Sequence, residues 1–303
     1  MKEGTIKSDI MLLITAVIWG FGFVAQRVGM DYVGPYTFNA IRFLLGCLVL
    51  IPFIFLRSRK LKRQGIMRVS NRSLIPGACL AGLALFFGAS FQQVGLVYTT
   101  AGNAGFITGL YVVVVPFVGS FIGRKPNTGT WTGAFLAAAG LYLLSVKGDF
   151  TIAYGDLLVL AGAFMWAIHV LIIDRLSPKN SALKIAFIQF AACSVLSFFT
   201  AFMTETIRLG SILDAAVPIF YGGCISVGIA YTLQVVAQKN AHPAHASILL
   251  SLEAFFAALG GWMMLGEMLS PREMTGCAMM LLGMLLSQLW GSFRNHHVSQ
   301  PPV

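Results

Sequence analysis

Two charged side chains stand where the chain is otherwise apolar: Glu253 in Ser251-Leu252-Glu253-Ala254-Phe255 and Arg42 in Ile41-Arg42-Phe43. A carboxyl group in such surroundings is neutral, paired or facing water, and is a functional candidate by default. It can bind a substrate amine, load and release a proton in coupled transport, or serve packing alone through a hydrogen bond between helices. Arginine cannot be neutralised and needs a carboxylate, a carbonyl or water. Arg42 therefore snorkels to the headgroups, forms an internal salt bridge or captures a substrate carboxylate. Trp19 and Trp166 are either aromatic packing between helices or the lining of a cavity. His169 lies three residues beyond Trp166 on the same helix face, as a core hydrogen-bonding group or a proton relay.

These residues belong to a duplicated pattern. Trp19 recurs as Trp166, and Ile41-Arg42-Phe43 as Ile188-Gln189-Phe190, both at a spacing of 147. Gln92 recurs as Gln234 and Ala104 as Ala246 at 142, the spacing that also relates Tyr111 to Glu253. Thr132-Gly133 and Gly140 recur as Thr275-Gly276 and Gly283 at 143. Gln189 opposite Arg42 weakens strict symmetry for a charge role. If each unit holds an odd number of membrane crossings, the two lie upside down relative to each other, an architecture whose binding site falls between the halves. Trp19 is 9 positions into its apolar segment and Trp166 is 12 into its own. At about 1.5 Å per residue both are near mid-depth, as are Tyr111 and Glu253. The predicted site is built around Trp19, Tyr111, Trp166 and Glu253, with Arg42, Gln92, Gln234 and His169 as further binding residues.

Composition supplies the solvent. Of 303 residues, 57% are apolar and 11% charged, too little charge to cover the surface of a soluble domain, so the chain is read as an integral membrane protein in a lipid bilayer. Cys47, Cys79, Cys193, Cys224 and Cys277 fall in apolar stretches without paired spacing and read as small core residues. His242 and His245 would share a metal only with a third ligand, and none is near in sequence. No metal, no cofactor and no converging nucleophile and base are expected, hence no enzyme. The apolar run from Ile10 to Val28 is too long for a signal-peptide core and reads as a retained first helix.

Ten segments near the roughly 20 residues of a membrane-crossing helix can be drawn. They are Ile10 to Val28, Tyr36 to Leu56, Leu74 to Val97, Thr100 to Ile122, Thr130 to Val146, Tyr154 to Asp174, Ala182 to Met203, Ala215 to Gln238, Ala246 to Gly266 and Met274 to Trp290. The expected fold is therefore an all-α integral membrane protein of ten transmembrane helices, arranged as two inverted five-helix repeats over 9–147 and 154–290. Sixteen Lys and Arg then fall on the side of the N-terminus and four opposite, which predicts both termini in the cytoplasm. The basic run Arg57 to Arg63, continuing through Arg68 and Arg72, is read as a topology-setting loop against anionic lipid; without a soluble domain or interleaved aromatics, no nucleic-acid partner is expected. Pro116 is expected to kink the fourth helix, and Glu267 reads as a surface-facing helix end. Gly102, Gly105 and Gly109 with Ala257, Ala258, Gly260 and Gly261 form small-residue rows suited to close helix approach.

The chain resembles the drug/metabolite transporter superfamily, specifically the EamA-type permeases. The resemblance runs from about residue 9 to 290 on Trp19-Gly20, Ile41-Arg42-Phe43, Ala101-Gly102-Asn103-Ala104 through Pro116, Thr132-Gly133 through Gly140, and Leu265-Gly266-Glu267. It implies a multi-pass carrier of the cytoplasmic (inner) membrane that moves small metabolites, often outward, such as amino acids or related compounds, by alternating access. Glu253 and Ala258 depart from the Tyr111 and Pro116 of the first repeat. A drug or organic-cation exporter using proton exchange at Glu253 is the alternative within transport, and a membrane receptor or scaffold the alternative outside it.

Overall fold

Apolar segments this long satisfy their backbone hydrogen bonds internally, and they do so as helices. The computed structural model describes residues 3–64, 74–120, 128–147, 151–238, 246 and 249–298. The helices are α1 (Glu3–Gly29), α2 (Pro35–Arg63), α3 (Leu74–Gly95), α4 (Ala101–Gly109), α5 (Tyr111–Ser120), α6 (Thr128–Ser145), α7 (Tyr154–Leu176), α8 (Ala182–Thr204), α9 (Leu209–Asp214) and α10 (Ala216–Phe220). A π-helical segment (Tyr221–Tyr231) runs into α11 (Thr232–Ala237), and α12 (Glu253–Leu265) and α13 (Pro271–Val298) complete the chain. One short antiparallel pairing, Val146–Lys147 with Thr151–Ile152, joins α6 to α7.

Seven helices among the described residues are long and apolar enough to cross a membrane: Ile6–Gly29, Pro35–Leu61, Leu74–Gly95, Ala101–Ser120, Tyr154–Leu176, Ala182–Thr204 and Ala216–Ala237. Two further apolar helices, Trp131–Leu144 and Leu249–Leu265, are shorter. The segment expected from Met274 to Trp290 lies within α13. Phe53, Phe135, Val195, Phe199 and Phe202 point outward as an apolar surface, the form a protein takes when lipid surrounds it.

Helices do not gain hydrophobic energy by leaving lipid for one another, so close packing and a few hydrogen bonds must hold the bundle. At the α6–α13 crossing, a Cβ on Gly140 would lie 2.5 Å from the Gly276 carbonyl oxygen, and one on Gly283 would lie 2.6 Å from that of Gly133. The two backbones therefore touch where the duplicated glycines meet. At the α2–α8 crossing the Cys47 thiol donates to the Phe187 carbonyl at 3.6 Å and the Ser194 hydroxyl donates to that of Ala40 at 2.8 Å. Donors and acceptors are each related by 147 residues, so the bonds are reciprocal. The same exchange runs through the packing. The pairing of α1 with α12 answers that of α7 with α4 and α5, and α3 with α7 answers α1 with the π segment and α11.

Several local expectations need correction. The run Arg57 to Arg63 continues α2 as helix and is not a loop, since Lys and Arg are good helix formers and no breaker intervenes. Arg59 stacks on Phe55 with its guanidinium carbon 4.1 Å from the ring centre. Arg68 and Arg72, like His242 and His245, lie outside the described residues. The fourth crossing breaks at Leu110, before Pro116, which falls within α5; Pro52 sits inside α2 without ending it. Cys47, Cys193 and Cys277 are buried, but Cys79 is exposed.

Glu267 is not a surface-facing end. Gly266 takes a left-handed φ of 66°, which a glycine adopts without a Cβ clash, and turns the chain so that the Glu267 carboxylate meets α4. There it accepts the Ala101 and Gly102 backbone N–H groups at 2.9 and 3.1 Å. Glu205 does the same for α2, accepting Tyr36 and Thr37 N–H at 2.8 Å and the Thr37 hydroxyl at 2.6 Å. Each carboxylate satisfies N–H groups that a helix start leaves unpaired and complements the dipole there.

Candidate functional site

The helical stretches Ala101–Ser120 and Leu249–Leu265 each carry the same break. Leu110 closes a tight turn through its N–H to the Ile107 carbonyl at 3.2 Å, and Leu252 does so to Leu249 at 3.4 Å. Leu110 and Leu252 are 142 residues apart, as are Ile107 and Leu249, so the turns are equivalents. Tyr111 and Glu253 follow as the first residues of α5 and α12. Glu253 therefore stands in the first turn of its own helix, where the dipole favours a carboxylate. Broken helices near the middle of a bundle expose backbone and place chosen side chains at their tips, a recurrent way to build a transport site.

These tips face a small cavity inside the bundle. All eight residues singled out from sequence line it: Trp19, Arg42, Gln92, Tyr111, Trp166, His169, Gln234 and Glu253. Phe23, Gln26, Thr108, Val170, Ser226 and Tyr231 complete the lining. Tyr231 is the hub that sequence reasoning missed. Its ring centre lies 4.6 Å from that of Trp19, 6.0 Å from Trp166, 5.9 Å from Phe190 and 6.4 Å from His169. Its equivalent at 142 is Ala89, so the duplication hid it.

The polar groups divide into satisfied and waiting. Trp166 Nε1 donates to Gln92 Oε1 at 3.0 Å, and Gln92 Nε2 donates to Gln26 Oε1 at 2.9 Å. His169 Nε2 and Gln189 Oε1 are hydrogen-bonded at 3.0 Å, a role for Gln189 that pairs it with histidine where its equivalent is Arg42. By contrast Arg42 Nε, Tyr111 Oη, Gln234 Oε1 and Glu253 Oε1 are buried without a hydrogen-bond partner. Tyr111 and Glu253 line the same cavity, and by hydrogen-bond geometry neither the Tyr111 hydroxyl nor Glu253 Oε1 has a partner. Arg42 is 3% exposed, so it does not snorkel; its guanidinium carbon lies 5.5 and 5.0 Å from the Phe38 and Phe43 ring centres. The aromatic faces offset part of the cost of burying that cation. Among the described residues neither Arg42 nor Glu253 has an ion-pair partner, and no group of three metal-binding side chains occurs.

A multi-pass helical protein with a buried, polar, aromatic-lined chamber at paired helix breaks has the form of a membrane transporter. The model of the EamA-like transporter family matches twice, over residues 6–146 and 153–289, and the chain belongs to that family. An uncharacterized transporter of Archaeoglobus fulgidus is 32% identical over 286 residues, covering 93% of this chain and 86% of its own. The uncharacterized inner membrane transporter YedA of Escherichia coli is 25% identical over 281 residues, covering 90% and 88%. A protein of known crystal structure superposes with a TM-score of 0.69 at 17% identity, over 97% of this chain and 99% of that one, which shows a shared fold.

Proposed function

We propose that this chain is a secondary-active carrier of small zwitterionic metabolites, such as amino acids or related compounds, working by alternating access and exporting them across the cytoplasmic (inner) membrane. One observation carries the reading: Arg42 and Glu253 line the same chamber, each buried, each without an opposite charge among the described residues. Two unpaired buried charges of opposite sign are costly unless a ligand completes them. A ligand carboxylate suits the planar fork of Arg42, a ligand ammonium suits Glu253, and Trp19, Trp166 and Tyr231 offer apolar faces to the remainder. Two inverted five-helix repeats, 9–147 and 154–290, supply the frame, a proposal supported by the exchanged contacts and paired breaks. Chemical change of the solute is no part of it.

The test is an uptake and thermal-shift screen of amino acids, amines, carboxylates, sugars and nucleosides on the purified protein in liposomes. Amino acids should protect and move, while the matching amines or acids alone should do so weakly. Binding without movement would support the receptor or scaffold reading. Movement of amines alone, with proton exchange, would favour the second reading, an organic-cation exporter using the unbonded Glu253 oxygen. The proposed topology, both termini cytoplasmic, is checked by reporter fusions at Val303 and Lys147, which should lie on opposite sides.

A further inference from the structure

Repeat equivalence relates two tryptophan–glutamine pairs across the chamber. Trp166 faces Gln92, and the exchanged pair is Trp19 with Gln234. Only the first is bonded. Trp166 Nε1 donates to Gln92 Oε1 at 3.0 Å, whereas Gln234 is 2% exposed with its Oε1 unpartnered. Trp19 Nε1 instead makes a long 3.4 Å contact with the Ser226 carbonyl. A buried amide oxygen without a donor is a costly feature to keep, and an indole N–H held at 3.4 Å is poorly satisfied.

The cause of the difference lies in winding. Ser226 belongs to the π segment Tyr221–Tyr231, which ends three residues before Gln234. Its equivalents at 142, residues 79–89, lie within the regular helix α3. Pro76 and Gln92 flank the regular stretch, and Pro218 and Gln234 the π stretch, at the same spacing of 142. The two repeats therefore hold equal residue numbers in different windings, with no insertion. Wide π turns carry each residue round the axis by less than α turns do, so the π stretch sets Gln234 at a different angle from that of Gln92 after its regular stretch. Thr15 and Trp19 make long contacts with the carbonyls of Ala230 and Ser226, at 3.3 and 3.4 Å.

In a carrier of inverted repeats, one repeat moves against the other about a central site, so a bond made in one repeat and absent at its equivalent is a candidate to trade places between the two states. We infer that the Trp166–Gln92 and Trp19–Gln234 bonds are alternatives in one exchange: the first marks the state seen here, and its opposite forms the second as Tyr221–Tyr231 rewinds to α-helix and the corresponding part of α3 opens. The inference rests on the alternating-access reading above. A polar recess among Arg27, Thr99, Asn103, Asp156 and Glu267 lies on one side of the chamber.

Phe23 and Val170 report the exchange. They are equivalents at 147, both line the chamber, and they are 2% and 4% exposed. Each lies one turn beyond its tryptophan, Phe23 toward the recess and Val170 toward the opposite face. In the detergent-purified full chain, with native cysteines replaced, Phe23→Cys and Val170→Cys are labelled with a soluble maleimide. Gln92→Leu and Trp166→Phe should shift the ratio of labelling at 23 to that at 170 by about 2- to 10-fold, the range one buried hydrogen bond supports. Gln234→Leu and Trp19→Phe should shift it in the opposite direction. The phenylalanine variants remove the indole donor while keeping an aromatic, though smaller, ring and stand in if a glutamine variant does not fold. Shifts of the same sign from both pairs, or none from any, overturn the exchange. If solute transport is absent yet the opposed signs hold, the transport reading fails and the exchange stands; transport without opposed signs sinks the exchange alone.

Discussion

Replacing Glu267 by Gln removes one charge from the joint between α12 and α4 and leaves the shape. The carboxylate accepts two N–H groups, at 2.9 and 3.1 Å, from the first residues of α4. An amide has one acceptor oxygen, so one bond survives as a neutral one and the other N–H meets the amide NH2. Hydrogen bonds to charged groups contribute about 1.5–3 kcal/mol each and neutral ones about 0.5–1.5. The loss is therefore about 2.5–4.5 kcal/mol before solvent is counted. Glu267 is partly exposed and borders the polar recess, so water replaces part of what is lost and about 1–2 kcal/mol remains. For a chain of this size that lowers the melting midpoint by a few degrees. Scanning fluorimetry in detergent reads it directly. Glu205→Gln, at the start of α2, should behave alike. An unchanged midpoint in Glu267→Gln would refute the idea that this acid joins two helices.

Glu253→Gln should insert and fold normally, because it keeps shape and hydrogen-bonding capacity; proton-driven transport should be lost, and wild-type transport with unchanged pH dependence would reduce Glu253 to packing. Arg42→Lys keeps the charge but loses the planar fork, so solute affinity should fall by about tenfold or more at normal expression; full activity would remove Arg42 from binding. Gly140→Val should cut folded yield, as its Cβ would press on the Gly276 carbonyl at 2.5 Å, whereas Gly210→Val, with nothing within 4 Å, should not. Normal yield from Gly140→Val, read by size-exclusion chromatography, would show that α6 and α13 separate freely.

Sequence alone determined the solvent, the helical class, the duplication and the membership of one chamber. Scarce charge spaced by apolar runs leaves few alternatives to membrane helices, and a repeat carries each special residue of one half to a partner in the other. That is why Trp19, Trp166, Gln92, Gln234, Tyr111 and Glu253 could be named as a group, with Arg42 beside them, while only its burial in the folded chain decides against snorkelling. Tertiary structure decided where symmetry fails. Tyr231 fills the centre opposite an alanine, the crossings break at Leu110 and Leu252 without a proline at either turn, and equal residue counts wind as π in one half and α in the other. Glu267 looked like a solvated helix end because its partners are backbone N–H groups more than 160 residues away. Backbone donors carry no residue type, so no pattern of side chains along the chain announces them; only the packing of α12 on α4 brings donor and acceptor together.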